Sequence, residues 1–147
     1  MSNYIHKSHN VTVLLYHLVF PAKYRKVVFD TDVDKVLKDV CLELEKRYQI
    51  KFLEIGTDKD HVHFLAQSVP TYSVTKIVTI IKSITAREIF KKCPQVKKQL
   101  WNGEFWSDGY FTSTVGKHGD ENMIGKYVKN QGKEYNKLYN DHQLALF

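Results

Sequence analysis

Residues 50–68 read IKFLEIGTDKDHVHFLAQS. Two runs in this stretch, Ile50–Thr57 and His61–Ser68, have the composition and length of short strands, and the charged residues 58–60 separate them. Strand-like runs joined by a short polar connection are typical of a β-hairpin. The stretch therefore predicts two antiparallel strands that are neighbours in a sheet.

Helical periodicity flanks this hairpin on both sides. Apolar residues at 3.6-residue spacing predict one helix that is capped at residue 31 or 32 and ends near residue 48, and another over about residues 73–92. Outside these helices lie two further strand-like runs, residues 11–20 (VTVLLYHLVF) and residues 110–115 (YFTSTV). A last helix is expected to start at Asp120 or Glu121.

The order strand, helix, strand, strand, helix, strand is that of the split βαβ arrangement. We therefore predict an α+β, ferredoxin-like fold with an antiparallel four-stranded sheet, helices on one face, and a C-terminal helix that carries Tyr127. One domain is expected over residues 1–147, with the last residues, from about 140, as a frayed tail. Because many unrelated functions share this fold, function has to be inferred from particular side chains.

The composition narrows the class of protein. The chain has 22 Lys and Arg residues against 16 Asp and Glu, a formal net charge of +6 that suits a polyanionic partner. Its two cysteines, Cys41 and Cys93, lack the CxxC spacing, so neither a disulfide framework nor a thiolate metal site is indicated. With no apolar signal core and no run of about 18 apolar residues, we expect a cytoplasmic protein without a membrane partner.

Two pairs of polar side chains fall at meaningful spacings. His61 and His63 alternate on a predicted strand, whose two-residue period points both imidazoles to one face. Tyr127 and Gln131 lie one turn apart on the same side of the predicted last helix. Each pair taken alone is also compatible with ordinary structural residues, so the spacing leaves both interpretations open.

Four segments together resemble a known family. YHLVFPAKYRKVVF, DKDHVHFL, FWSDGYFTSTVG and YVKNQ occur in this order and are similar to segments of the single-tyrosine HUH transposases of the insertion sequence 200/605 group, where HUH means His, hydrophobic residue, His. The resemblance implies that His61 and His63 bind a metal ion, that Gln131 is the third ligand, and that Tyr127 is the catalytic nucleophile. It also implies cleavage and rejoining of single-stranded DNA near a hairpin through a 5′-phosphotyrosine intermediate. Such transposases form homodimers in which the tyrosine helix of one subunit completes the site of the other.

The implied chemistry suits these residue types. A phenol with a pKa of about 10 needs a nearby positive charge or base before it can attack phosphorus. Two imidazoles and an amide oxygen, without thiolate, favour Mg²⁺ or Mn²⁺ as the metal. Asp60, directly before the histidine pair, is a candidate to orient one imidazole. Residues 119–126 (GDENMIGK) depart from the phosphate-binding loop pattern, so no nucleotide cofactor is expected.

Basic residues near aromatic ones are candidates for contacts with single-stranded DNA, which proteins hold by charge and base stacking. The predicted contacts are Lys23, Arg25, Lys82 and Arg87. Core aromatics with solvated lysines would leave a similar pattern in the sequence.

Three other interpretations stay open. The first is a host-retained relative that keeps the same four residues and acts on chromosomal palindromic repeats. The second is a ferredoxin-like nucleic-acid-binding module without cleavage activity. The third is a two-metal nuclease built on Glu54, Asp58 and Asp60. The double substitution Asp58→Asn with Asp60→Asn would abolish cleavage by that nuclease, whereas the tyrosine mechanism predicts at most a partial loss.

Overall fold

The strands and helices follow the predicted order. The computed structural model describes residues 13–100 and 103–116. Along the chain these residues form β1 (Leu14–Pro21), a 3₁₀ turn (Lys23–Arg25), α1 (Thr31–Arg47), β2 (Lys51–Thr57), β3 (His61–Ser68), α2 (Val74–Lys92), α3 (Pro94–Gln99) and β4 (Phe111–Val115). The strands lie in the order β2-β3-β1-β4, and each neighbouring pair is antiparallel. This is the ferredoxin-like arrangement, so the predicted fold class is confirmed.

Side-chain caps define where the two long helices begin. The carboxylate of Asp30 accepts a hydrogen bond from the Val33 amide at 2.9 Å, and the Ser73 hydroxyl accepts one from the Lys76 amide at 3.0 Å. These contacts satisfy amides that the first turn of a helix leaves without an intrahelical partner. The cap of α1 is therefore Asp30, just before the two residues that the sequence suggested.

Both long helices pack against the same face of the sheet. Leu18 and Phe20 of β1 and Val62 and Phe64 of β3 are fully buried in this face. The helices complete the core with the apolar residues of their inner sides, Val33, Leu37, Val40 and Leu44 from α1 and Ile77, Ile81, Ile84 and Ile89 from α2. Burial of these side chains is the main favourable contribution to folding.

The opposite face of the sheet carries the intervening residues of β1 and β3, because successive side chains of a strand alternate between faces. Leu15 and Leu65 form a small apolar cluster there. His17, His61 and His63 belong to the same face and are buried as well. This second face therefore combines apolar packing with three imidazoles.

Two local features were not predicted. α3 begins at Pro94, where proline is tolerated because the first turn of a helix has no partner for that amide. In the 3₁₀ turn after β1, Tyr24 and Arg25 have φ values of 57° and 54°, a left-handed conformation that few residues other than glycine adopt. Neither feature produces a hydrophobic period that a sequence pattern could reveal.

Some predictions concern residues outside the described ranges. These are the C-terminal helix with Tyr127 and Gln131, the frayed tail, and the extent of the single domain. Among residues 13–100 and 103–116, no helix has both the length and the apolar character that crossing a bilayer requires.

Candidate functional site

β3 presents His61 and His63 on the sheet face that points away from α1 and α2. In the strand register His61 lies opposite Pro21 of β1, and His63 lies opposite Val19. Both residues are almost completely buried, with 2% and 4% of their surface exposed. The alternation of the strand thus directs two imidazoles to one face, as the sequence spacing predicts.

Asp60, at the end of the β2–β3 turn, orients His61. Its Oδ1 lies 2.8 Å from Nδ1 of His61, and a carboxylate accepts hydrogen bonds, so Nδ1 carries the proton. In a neutral ring Nε2 then holds the lone pair, which is the form that binds a metal. Oδ2 of Asp58 lies 4.0 Å from this Nε2, so a second carboxylate borders the ring.

The interior keeps the two imidazoles neutral. Burial lowers the pKa of His61 below its usual 6.5, although the hydrogen bond to Asp60 opposes this shift. Burial, with smaller contributions from the neighbouring His17 and His61, lowers the pKa of His63 to about 4. Metal ligands must be neutral imidazoles, and both rings meet this condition at neutral pH. Two such rings on one face, one with its tautomer set by a carboxylate, fit a divalent cation.

A third histidine, which the sequence interpretation missed, lies beside the pair. His17 of β1 is buried, and its ring centroid lies 6.1 Å from that of His63 and 6.3 Å from the ring of Phe111. Burial lowers the pKa of His17. Its Nε2 has no hydrogen-bond partner in the part of the chain that the structure describes. The sequence feature that could have indicated His17 is a histidine inside an otherwise apolar strand, two residues from Leu15 and from Val19.

The backbone of β2 passes directly beneath the ring of His63. Gly56 lies opposite His63 in the register, and a Cβ placed on Gly56 would lie 2.5 Å from Cε1 of His63 and closer still to its Nε2. Such a separation is well inside the contact distance of about 3.5 Å. Only glycine allows the imidazole to occupy this position.

The four predicted DNA contacts differ in how many contacts their side chains make within the protein. The side chain of Lys23 is 15% exposed and lies near the carboxylates of Glu104 and Asp108. The Lys82 ammonium donates to the carbonyl oxygens of residues 107, 108 and 109. It also lies 5.4 Å from the ring centroids of both Phe20 and Tyr110. Lys82 therefore anchors the loop that leads into β4.

The other two predicted contacts are arginines. Arg25 forms an ion pair with Asp60, with 3.1 Å between Nε and Oδ2. Arg87 extends from α2 with 64% of its side chain exposed, and its nearest carboxylate contact, to Glu88, is a long 3.9 Å. Of the four, Arg87 has the geometry most typical of a side chain that meets a partner in solution. Their contacts with DNA stay predictions.

Within residues 13–100 and 103–116, no three His, Cys, Asp or Glu side chains form a group that could hold a metal ion. A cation at His61 and His63 would thus need ligands of another kind or from another part of the chain. The carboxylates of Glu54, Asp58 and Asp60 likewise form no such group, which argues against the two-metal nuclease. The predicted third ligand and the predicted nucleophile lie outside the described residues.

Comparison with known proteins identifies the family. A family model described as "Transposase IS200 like" matches residues 10–131. The chain belongs to this family of IS200-like transposases. The ISDra2 transposase TnpA of Deinococcus radiodurans is 31% identical over 118 residues, which cover 80% of this chain and 84% of that protein. The transposase for insertion sequence element IS200 of Salmonella typhimurium is 29% identical over 119 residues, covering 81% and 77%.

Solved structures agree with this membership. A crystal structure of a candidate transposase from Deinococcus radiodurans superposes with a TM-score of 0.69 at 28% identity, covering 86% of this IS200-like transposase and 97% of that chain. A REP-associated tyrosine transposase bound to a REP hairpin gives a TM-score of 0.58 at 11% identity, covering 91% and 74%. The second likeness is one of fold alone. Family membership confirms the predicted resemblance and makes this protein a transposase, and hence an enzyme.

Proposed function

We propose that this transposase cleaves and rejoins single-stranded DNA near a hairpin, with Tyr127 as the nucleophile. The main support is the buried pair of His61 and His63, neutral at physiological pH, with the tautomer of His61 set by Asp60. Neutral imidazoles on one sheet face, completed by an amide oxygen from Gln131, form a donor set for Mg²⁺ or Mn²⁺.

Each residue around this set has a separate task. His61 and His63 supply nitrogen ligands, and Gln131 supplies an oxygen ligand. A divalent cation bound there would act as a Lewis acid on the scissile phosphate and stabilise the leaving 3′ oxygen. Asp60 holds the proton of His61 away from the ligand nitrogen, and Gly56 leaves room for the ring of His63.

Tyr127 carries out the covalent step. Its phenol loses a proton to solvent, its oxygen attacks phosphorus, and the bond between phosphorus and the 3′ oxygen breaks. The 3′ oxygen takes up a proton and leaves as a free hydroxyl, while the 5′-phosphate stays on the tyrosine. A 3′-hydroxyl of another DNA end then attacks this phosphotyrosine, forms a new phosphodiester and releases the phenol. One phosphodiester is exchanged for another, so no nucleotide cofactor is required.

The proposed partners follow from charge and from the family. A net charge of +6 suits DNA, and one structural neighbour is bound to a hairpin. A homodimer that shares its active site follows from the family resemblance. Cys41 and Cys93 are free and buried thiols, which is typical of a protein in the reducing cytoplasm.

A covalent adduct tests this function. We incubate the protein with fluorescent, hairpin-flanked single strands and Mn²⁺, and then separate the products by denaturing electrophoresis. We expect an adduct that survives denaturation with the wild-type protein and none with Tyr127→Phe. Tyr110→Phe is the control, because it removes the hydroxyl of a tyrosine that is 41% exposed, and it should still form the adduct.

Two results would contradict the tyrosine mechanism. One is an adduct that persists in Tyr127→Phe. The other is DNA binding by the wild-type protein without any adduct, which would favour the non-catalytic binding module.

A further inference from the structure

The turn after β1 has a backbone conformation that is costly for its residues. Tyr24 and Arg25 are consecutive and both have positive φ, 57° and 54°, where the Cβ atom crowds the backbone. Non-glycine residues keep such a conformation only where the surrounding structure imposes it, and they cluster at functional sites.

Backbone hydrogen bonds join the turn to the β2–β3 connection. The amide of Ala22 donates to the carbonyl oxygen of Asp60 at 2.8 Å, and the amides of Val28 and Phe29 donate to that of Lys59 at 3.1 and 3.2 Å. The segment that carries Arg25 is therefore attached on both sides to the two residues that precede His61. Such attachment fixes where the Arg25 side chain begins relative to Asp60.

The side chains extend this connection to the histidine. Nε of Arg25 donates to Oδ2 of Asp60 at 3.1 Å, and Oδ1 of the same carboxylate accepts from Nδ1 of His61 at 2.8 Å. Each carboxylate oxygen thus serves a different partner. The carboxylate cannot turn about its axis without losing a charge-assisted hydrogen bond or the bond that orients the imidazole.

We propose that Arg25 is a positioning residue of the active site, which acts through Asp60 to hold His61 in the orientation that a divalent cation requires. This role rests on the proposed function, because it takes His61 as a metal ligand. It explains why the chain adopts left-handed backbone at Arg25, and it differs from the direct contact with DNA that the sequence suggested.

Mn²⁺ binding by the full chain, measured without DNA from the loss of the free-ion electron paramagnetic resonance signal, tests this role. Loss of a partner that orients a metal-binding histidine weakens metal affinity by about 10- to 100-fold. We expect Arg25→Gln to weaken Mn²⁺ binding about 10-fold and Asp60→Asn at least as much. In the Asp60→Asn background, Arg25→Gln should change the affinity by less than about twofold, because the partner through which Arg25 acts is already lost.

Arg47→Gln is the matched control. Arg47 is an exposed arginine at the end of α1, stacked on the ring of Tyr48, and its loss should leave Mn²⁺ affinity unchanged. A thermal melt accompanies each titration. If Arg25→Gln does not fold, Arg25→Lys replaces it; we expect a smaller loss of affinity, and an unchanged affinity would overturn the role.

The outcomes separate this inference from the proposed function. If His61→Asn abolishes Mn²⁺ binding while Arg25→Gln leaves it unchanged, the role of Arg25 is overturned and the metal site stands. If Arg25→Gln lowers the Mn²⁺ affinity equally in the wild-type and Asp60→Asn backgrounds, Arg25 does not act through Asp60. Weaker DNA binding by Arg25→Gln in metal-free buffer, with normal Mn²⁺ affinity, would assign Arg25 to DNA contact instead. Absence of Mn²⁺ binding by the wild-type protein would overturn the metal site and this role together.

Discussion

Replacement of Gly56 by alanine adds a single methyl group against the ring of His63. The added Cβ would lie 2.5 Å from Cε1 of that ring, whereas such atoms pack at about 3.5 Å. β3 lies between β2 and β1 in the sheet, so its backbone has little freedom to retreat. The imidazole therefore has to move by about 1 Å to restore a normal contact.

The expected losses follow from this displacement. Distances between a metal and its ligands are normally kept within about 0.2 Å, so a shift of about 1 Å removes His63 from a productive position. We expect Gly56→Ala to weaken Mn²⁺ binding about 10-fold or more. Overpacking at a buried position should also lower the free energy of unfolding by about 1 to 3 kcal/mol.

Mn²⁺ titration and urea unfolding measure the two losses separately. Gly109→Ala is the matched control, because an added Cβ there has no neighbouring atom within 4 Å, and both measurements should stay at wild-type values. In a His63→Ala background, Gly56→Ala should cost much less stability, since the clashing ring is gone. Wild-type Mn²⁺ affinity and stability in Gly56→Ala would refute the close approach of His63 to β2.

Three further predictions address the loop, the buried histidine and the dimer. Lys82→Met should lower the free energy of unfolding by about 2 kcal/mol, because it removes hydrogen bonds from an ammonium to three carbonyl oxygens. Urea unfolding measures this loss, and Lys91→Met, at an exposed lysine, is the control that should have little effect. In metal-free buffer, the free energy of unfolding should fall by up to about 3 kcal/mol as the pH drops from 6.5 towards 4, because His63 binds a proton in the unfolded chain but, with its pKa of about 4, stays neutral in the folded one. An equally steep fall in His63→Gln would contradict this. Mixed dimers of Tyr127→Phe and His63→Ala subunits should regain cleavage in the adduct assay, because a shared site combines the intact tyrosine of one subunit with the intact histidines of the other. No recovery would indicate a site within one chain.

Much of the fold could be predicted because hydrophobic periodicity reports directly on burial. The two-residue and 3.6-residue periods gave β3 and α2 to within one residue of their observed bounds. The cap of α1 was displaced by one or two residues, since Asp30, Thr31 and Asp32 are all good capping residues and the pattern cannot choose between them. No sequence pattern indicates the left-handed turn at Tyr24 and Arg25, because neither residue type favours positive φ.

The site was only partly accessible from the sequence, because several of its features depend on which strands are neighbours. The alternation of His61 and His63 is local and was predicted. The place of His17 beside His63, and of Gly56 beneath it, depends on the β1–β3 and β2–β3 registers. Arg25 pairs with Asp60, which lies 35 positions away in the chain. The sequence alone therefore suggested a surface charge that contacts DNA, and only the fold shows the ion pair.

The chemical identity of the covalent adduct tests the central role of Tyr127 most directly. Digestion of the adduct after glutamate releases residues 122–134, a peptide with one tyrosine, Tyr127, and no serine, threonine, cysteine or histidine. We predict that mass spectrometry finds DNA on this peptide, linked through a 5′-phosphate, so that a 3′-end label stays with the protein and a 5′-end label is released. DNA on any other peptide, or a linkage through a 3′-phosphate, would contradict the proposed chemistry.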